Sequence, residues 1–428
     1  MVDGWPRQVF DGGVFRARYP GAPLIISDPA VAAEVLVERS AEFPHGEVFD
    51  RIFAPIWGKG ILVSEGSDWR WQRRAAAPAF RPAQMASLAP VMGRAADKTL
   101  ARWSTGAPIN LHDDIRKLTL RVIFDAVLSG GEDFPDKEEA SRQIDAFTSN
   151  VGRISVADIV PMPERWRPSS AARGGESAAY IRDRVTAMIA RRRREARPRG
   201  DLIDLLISAT DQETGQAMDD TLLRDNLVGF IAAGHETSTY ALSWALWLVA
   251  SHGATRDRLL AEIKAVAGDD PIGGEDVERL IFTRQVIEET MRLYPAAVAI
   301  VRAAAGDTQV AGHRLRRGAP VMVAVYALHR LADVWDQPDA FDPARFGPER
   351  RAGRPEGAYL PFGAGPRVCM GAAFAMTELI VALATLVRGS VLIPNPSRPV
   401  RPGVRLGGVV STTGLWVTPN DHAIKGRP

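Results

Sequence analysis

The single cysteine of the chain, Cys369, sits in the stretch Phe362-Gly363-Ala364-Gly365-Pro366-Arg367-Val368-Cys369-Met370-Gly371. One thiol makes no intramolecular disulfide, and without a second it completes no C-x-x-C redox or zinc pair. It suits chemistry in which one sulfur binds one metal. Haem iron is the usual case, because the porphyrin supplies the four in-plane ligands. The neighbouring glycines let the backbone turn tightly and approach a flat macrocycle, and N–H groups following the sulfur can moderate its charge. The alternative is an inert buried thiol that packs as a small hydrophobe.

A second constellation, Ala233-Gly234-His235-Glu236-Thr237-Ser238, lies midway along the longest helical pattern. Phe230, Ala233, Gly234, Thr237 and Ala241 recur at spacings of three and four and share a face with small residues at its centre. Such a face can pass close over a planar cofactor. A threonine hydroxyl bonded to the carbonyl one turn back loosens the helical ladder and opens a groove. Beside a carboxylate, that hydroxyl can pass protons through water, as cleavage of the O–O bond of dioxygen requires. Without Cys369, the same residues read equally as a capping Thr and a solvated Glu. His235-Glu236 begins an H-E-x-x-H zinc pattern, but Thr239 stands where the second histidine belongs.

The spacing F-x-x-G-x-R-x-C-x-G, carried by Phe362, Gly365, Arg367, Cys369 and Gly371, resembles the haem-binding signature of the cytochrome P450 family. Three further stretches resemble that family in the right order: Trp69-x-x-x-Arg73, the A-G-x-D/E-T-T/S motif at Ala233 to Ser238, and Glu289-x-x-Arg292. Pro343-Ala344-Arg345-Phe346 resembles its P-E-R-F motif, with Ala344 replacing the acid. The resemblance covers nearly the whole chain. It implies a mainly α protein with small β-sheets, a single domain over residues 1–428 with no fused reductase, and a haem between the long central helix and the cysteine loop.

The same resemblance implies a role for each matched residue. Cys369 is the expected iron ligand, and Trp69, Arg73, Arg302, Arg367, Phe362, Gly363, Gly371, Ala233 and Gly234 are expected around haem b. Arginine forks match the two propionates; Trp69 is alternatively an ordinary core aromatic. Thr237 and Glu236 are the expected proton-delivery pair. Glu289, Arg292 and Arg345 are expected as a buried structural triad, although exposed helical pairs are the commoner fate of that spacing. Phe53, Trp57, Phe230, Ala297, Ile300 and Thr412 are the expected substrate lining, nearly all apolar, which suits a hydrophobic small molecule.

The implied reaction inserts one oxygen atom of O2 into a fatty acid, terpenoid or aromatic. Electrons come ultimately from NAD(P)H through ferredoxin and ferredoxin reductase, or a flavodoxin-type donor. One cysteine holds no iron–sulfur cluster, and Val368 replaces the third glycine of a dinucleotide fingerprint begun by Gly363 and Gly365, so the donors are expected as separate proteins. Arg70, Arg74 and Arg81, near the Trp69 helix, suit an acidic donor or form a solvated face. Peroxide-driven hydroxylation, haem-thiolate isomerase or lyase chemistry and a haem sensor are the alternatives. Relatives that use peroxide replace the Glu236-Thr237 pair, and the lyase branch often alters the cysteine loop.

With 53 basic and 51 acidic residues the net charge is +2, which gives no reason to expect nucleic-acid binding. Arg191 to Arg194 reads as a solvated helix C-terminus. The N-terminal residues lack the charged and apolar regions of a signal peptide. The longest uncharged apolar stretch, Thr237 to Ser251, is below the roughly 20 residues of a membrane span, so a cytoplasmic protein without a span is expected. The first strand begins at Val14, and the family's longer leader implies a natural start upstream.

Positioning these residues requires helices near 69–80, 84–103, 113–129, 139–152, 176–195, 219–251, 254–267, 282–294 and 370–387. Strands are expected at 14–19 and 23–27, followed by a helix from Asp28-Pro29 to Arg39. Alternation over 297–326 and 404–417 suggests hairpins of a minor sheet, which with 14–27 make the β-rich part. Pro161 to Glu176, rich in Pro, Ser and Gly, reads as a mobile loop.

Overall fold

The structure, a computed structural model, describes residues 5, 7–16, 21–128, 136–151, 170–195, 199, 201–398, 400, 403–404, 410–411 and 414–420. Eleven helices carry the argument: α1 (Pro29–Ala33), α2 (Glu47–Trp57), α3 (Gly66–Ala76), α4 (Ala89–Leu100), α5 (Leu111–Val122), α6 (Lys137–Val151), α7 (Ser170–Arg194), α8 (Asp220–Ser251), α9 (Gly253–Ala267), α10 (Ile281–Leu293) and α11 (Ala372–Gly389). Asp28 caps α1 by accepting from Val31 N at 3.0 Å. The expected run from 84 to 103 breaks at Leu88–Ala89, where Pro90 opens α4, because proline lacks the N–H that a continuing helix needs.

The helix α2 escaped periodicity because Pro55 interrupts its pattern. Arg182 of α7 donates to the Ile56 carbonyl at 2.6 Å, satisfying one of the acceptors that the C-terminal end of α2 leaves open. The expected loop at 161–176 is corrected in part. Ser170 to Glu176 belong to α7, and 161–169 lie outside the described residues. The arginine run at its end is not a solvated face throughout: Arg192 is buried and pairs with Asp201 and, at 2.8 Å, with Asp204.

The strands over 297–326 do not form one hairpin sheet. β4 (Ile300–Ala303) and β7 (Pro320–Val323) join β1 (Val14–Arg16) and β2 (Leu24–Ile26) in the order β1-β2-β7-β4, with β2 and β7 parallel. Between them, β5 (Thr308–Val310) and β6 (His313–Leu315) make the separate expected hairpin. Near the C-terminus β9 (Gly403–Val404) pairs β10 (Val410–Ser411), whereas β11 (Trp416–Asn420) sits between β3 (Ile109–Asn110) and β8 (Val391–Pro394). Local alternation identifies strands but not partners, since a parallel pair is set by distant sequence.

The main core is helical. It gathers buried residues of α4, α5, α7, α8, α10 and α11, and a smaller core packs beneath the β1-β2-β7-β4 sheet. The helix α11 is long and apolar enough to cross a membrane, but most of it is buried inside the fold.

The expected triad forms and is saturated. Arg292 donates to both Glu289 oxygens at 2.7 and 2.8 Å, and its other N–H groups reach the carbonyls of His329, Pro338 and Ala340. Arg345 and Asp342 N also donate to Glu289, at 3.3 and 2.9 Å. The acid that Ala344 lacks is not a member of this set. His329 accepts from Leu360 N at 2.8 Å, which leaves its other nitrogen to donate to the Arg292 carbonyl at 3.2 Å. Burial, with Arg330 and Arg292 nearby, pushes its pKa down to about 3.

Two outcomes follow for stability. Glu289→Ala should cost about 3–5 kcal/mol in urea unfolding, because two buried guanidinium groups lose their carboxylate, whereas Arg351→Ala, which removes the half-exposed guanidinium paired with Glu288 at 2.6 Å, should cost about 1 kcal/mol or less. The unfolded imidazole takes its proton near 6.5 and the folded His329 only near 3. Its contribution is therefore complete above pH 6.5 and is lost as pH falls through that window, at up to about 1.4 kcal/mol per pH unit. His329→Gln should flatten that acid limb.

Candidate active site

The cysteine loop is built by close approach. Cys369 N donates to the Phe362 carbonyl at 2.9 Å, closing the turn. Gly365 has a φ of +67°, and a Cβ there would lie 2.0 Å from the Leu36 carbonyl. Any side chain would push the loop off the segment that follows α1. Cys369 has exposed surface, yet burial raises its thiol pKa, opposed by a hydrogen bond from Gly371 N–H and by Arg73. Both properties fit a sulfur on the wall of an internal cavity.

Three arginines surround this loop. Arg302 comes from β4, Arg367 from the loop and Arg73 from α3. Burial lowers the pKa of each, and for Arg302, with Arg367 close by, it falls to about 10. Glu65 answers only part of this charge by pairing with Arg367. Arg367 also donates to the Ser64 carbonyl at 2.9 Å and lies 4.1 Å over the Trp69 ring. Trp69 therefore acts as a platform for a guanidinium as well as a packing residue.

Sequence reasoning missed two members of this cluster. Glu65 accepts from His45 N at 2.9 Å, and the His45 ring, stacked on Phe49, faces the same charges. Ala303 N donates to the Pro44 carbonyl at 2.9 Å. A Cβ on Gly46 would come within 2.4 Å of the Ala303 Cβ, so glycine lets this loop lie against β4 and brings His45 towards Arg302. The signal was a single glycine, too little to identify the contact.

Along α8, otherwise largely buried, Ala233 and Thr237 keep exposed surface one turn apart. Thr237 Oγ1 donates to the Ala233 carbonyl at 2.7 Å, as the spacing predicts. Glu236 accepts from Tyr240 Oη at 3.2 Å. Gly234 faces elsewhere: Ile123 packs so closely that a Cβ would lie 3.1 Å from its Cδ1. His235 is buried between Thr119 at 3.0 Å and Asp145 at 3.4 Å. It ties α8 to α5 and α6.

The expected substrate lining is dispersed. Phe53 and Trp57 stack in parallel at 4.6 Å on α2. Phe230 lies edge-on to Phe80 at 5.2 Å within the helical core, and Ala297 is exposed. Ile300 lies against Gly363 of the cysteine loop. Thr412 lies outside the described residues. Leu62, which the sequence did not single out, reaches over Gly229 one turn before Ala233. Of the basic patch, Arg74 is engaged by Asp211 at 2.8 Å and Glu213 at 3.3 Å, whereas Arg70 and Arg81 are exposed.

A family model described as Cytochrome P450 matches residues 12–413. The chain belongs to the cytochrome P450 family. It is 32% identical to cyclooctatin synthase of Streptomyces melanosporofaciens, over 87% of this chain and 81% of that protein. It is 29% identical to pentalenene oxygenase of Streptomyces avermitilis, over 90% of this chain and 84% of that protein. Among solved structures, the cytochrome P450DA heme domain matches with a TM-score of 0.82 at 25% identity, covering 97% of this chain and 91% of that one. This P450 is accordingly a haem-dependent monooxygenase.

The residues present fit that cofactor. The single thiol would hold the iron, and Arg73, Arg302 and Arg367, whose charge Glu65 answers only in part, would suit the two carboxylates of a porphyrin. Arg302→Gln and Arg367→Gln should each weaken retention of haem roughly 10- to 100-fold, the factor for a charged hydrogen bond of about 1.5–3 kcal/mol. Retention of haem dimethyl ester, which lacks the carboxylates, should change little; absorbance after gel filtration measures both.

Proposed function

We propose that this P450 inserts one oxygen atom of O2 into a terpenoid-like hydrophobic molecule, with electrons from a separate ferredoxin and its NAD(P)H-dependent reductase. The reading is supported by a lone thiol that has exposed surface and yet is desolvated, in a chain that also carries the Glu236-Thr237 pair on α8. When bound, haem supplies dioxygen binding and the oxidising chemistry. Cys369 would hold the iron, Arg73, Arg302 and Arg367 the propionates, and Trp69, Phe362, Gly363, Gly371 and Ala233 the surroundings of the ring. A terpenoid is preferred over a fatty acid or aromatic because cyclooctatin synthase and pentalenene oxygenase are among the similar proteins.

The work left to this chain is to position substrate and move protons. With its hydroxyl donated to the Ala233 carbonyl, Thr237 keeps lone pairs on Oγ1 that accept from a water and hold it in place; to pass a proton on, the hydroxyl would turn away from that carbonyl, donate its proton and take the next one from that water. Glu236, held by Tyr240, is one residue round the helix and reaches Thr237 through water. Phe53, Trp57, Phe230, Ala297, Ile300 and Thr412 remain the proposed lining, joined by Leu62. Retention of Glu236-Thr237 disfavours the peroxide-driven reading. The protein is proposed to work in the cytoplasm.

Reduced protein with carbon monoxide should show the red-shifted Soret band of thiolate ligation, and Cys369→His a histidine-type band. Thr237→Ala should lower product formed per electron pair roughly tenfold or more, with hydrogen peroxide rising to match. Unchanged coupling would remove Thr237 from proton delivery. Difference spectroscopy with a terpenoid, fatty-acid and aromatic panel tests the substrate class; tighter binding of fatty acids would overturn the preference.

A further inference from the structure

The connection between α2 and α3 carries Leu62, and its main chain is paired with three separate helices. A connection of this kind ordinarily runs over the surface with its N–H and C=O groups in water. Here Lys59 N donates to Asp225 Oδ2 at 3.0 Å and Ile61 N to Asn226 Oδ1 at 2.8 Å, both acceptors on α8. The Lys59 carbonyl accepts from Gln72 Nε2 of α3 at 3.2 Å. Just upstream, the Pro55 and Ile56 carbonyls accept from Arg182 of α7 at 3.1 and 2.6 Å. Gly60 N closes the turn on the Trp57 carbonyl, and Val63 N and Ser64 N close it on the Gly60 carbonyl.

The side chains that hold this segment are buried and fixed in turn. Asp225 pairs with Arg224 at 2.8 Å, while Asn226 donates to Gln72 Oε1 at 3.2 Å and to the Leu222 carbonyl at 3.0 Å. Asn226 and Gln72 thus share one network across α8 and α3, and losing either strands donors and acceptors that water does not reach. Gly58, with a φ of +59°, lets the chain settle onto α8: a Cβ there would lie 1.9 Å from Asp225 Oδ2.

Leu62 follows this clamp directly. Its Cδ1 stands 3.0 Å from where a Gly229 Cβ would be, so the leucine is seated in the gap that the glycine leaves. Asn226, Gly229, Ala233 and Thr237 recur at spacings of three and four along one face of α8, and at 1.5 Å per residue Gly229 lies about 6 Å from Ala233 and about 12 Å from Thr237. Ala233 and Thr237 keep exposed surface. We propose that Asp225, Asn226 and Gln72 are positioning residues that hold Leu62 over Gly229 as a fixed end wall of the substrate cavity, and that this wall sets which part of a bulky apolar molecule lies beside Thr237. The wall rests on the proposed substrate lining; the clamp rests on the hydrogen bonds alone.

Hydrogen exchange of the haem-loaded full chain tests the clamp without substrate or turnover. The Lys59 and Ile61 amides should exchange as slowly as amides within α8. Asn226→Ala should speed exchange at Ile61 roughly fivefold or more, the factor for one net hydrogen bond. Gln72→Met should speed exchange at both amides, which keeps the test available if the Asn226 variant does not fold. Fast exchange of both amides in the unaltered chain overturns the proposal, as does exchange unchanged in the variants.

Titration of the haem with imidazole and with 1-phenylimidazole, followed by the Soret shift, tests the wall. Both ligands bind iron through a ring nitrogen, and only the second brings a bulky apolar group into the cavity. Gly229→Ala should weaken 1-phenylimidazole roughly tenfold relative to imidazole, because the new Cβ drives Leu62 from its seat. That penalty should vanish in a Leu62→Ala background and shrink in Asn226→Ala or Gln72→Met, where the loosened segment lets the leucine move aside. An equal penalty in every background overturns the wall. A penalty relieved by Leu62→Ala but by neither clamp variant overturns the positioning role. Neither ligand is a substrate, so a protein that oxidised no terpenoid would overturn the proposed substrate class and leave both readouts standing.

Discussion

The structure depends on holding charge where water hardly reaches. A thiolate at Cys369 is resisted by burial and favoured by the Gly371 N–H and by Arg73. Arg302 and Arg367 are resisted in the same way, and each makes the other's charge costlier. Glu65, with Asp50 also acting on Arg367, does not offset three guanidinium groups. The shortfall suits an anionic partner: the two carboxylates of a porphyrin would offset the cost of burying these guanidinium charges. In the proposed reading the cofactor would complete a charge balance that the chain leaves open.

That balance needs a rigid frame, because a sulfur or guanidinium displaced by an ångström loses its partner. The frame is the Glu289–Arg292–Arg345 triad, where each donor of Arg292 has an acceptor. A partly satisfied buried ion pair costs more than it returns; a saturated one fixes geometry. The triad pins α10 to the 337–345 segment, and Tyr359 donates to the Glu288 carbonyl at 2.8 Å, tying α10 to the approach to the cysteine loop. The β4 strand carrying Arg302 is anchored through Ala303 and the Pro44 carbonyl instead. Two separate anchors thus meet at one site.

How much was legible in the sequence follows from what each feature is made of. The triad and the Thr237 bond were legible because helical spacing turns a fixed interval of residue types into a contact. Thr237 to the Ala233 carbonyl is the clearest example. His45, Glu65 and Leu62 were not found, since each acts through a contact between segments far apart in sequence. The parallel β2–β7 pair and the buried Arg192 escaped for the same reason. Gly234 was assigned to the cofactor face for its small size, whereas its smallness admits Ile123; a missing Cβ marks close approach without saying to what.

Substrate choice stays hardest to read because its energetics are spread thin. A thiolate or a buried ion pair is worth several kcal/mol at one position, which limits the residue types that work there. An apolar contact contributes about 25 cal/mol per Å², and one methylene in a pocket discriminates by about 1–3 kcal/mol. At the proposed lining positions Phe53, Trp57, Leu62 and Ile300, many apolar residue types would therefore serve, and no single one is dictated. Leu62 over Gly229 shows how: the leucine occupies space that the glycine leaves, so either residue alone says little about the shape that both create. Selectivity in this P450 is a property of such sums, and its determinants lie in pairs across elements.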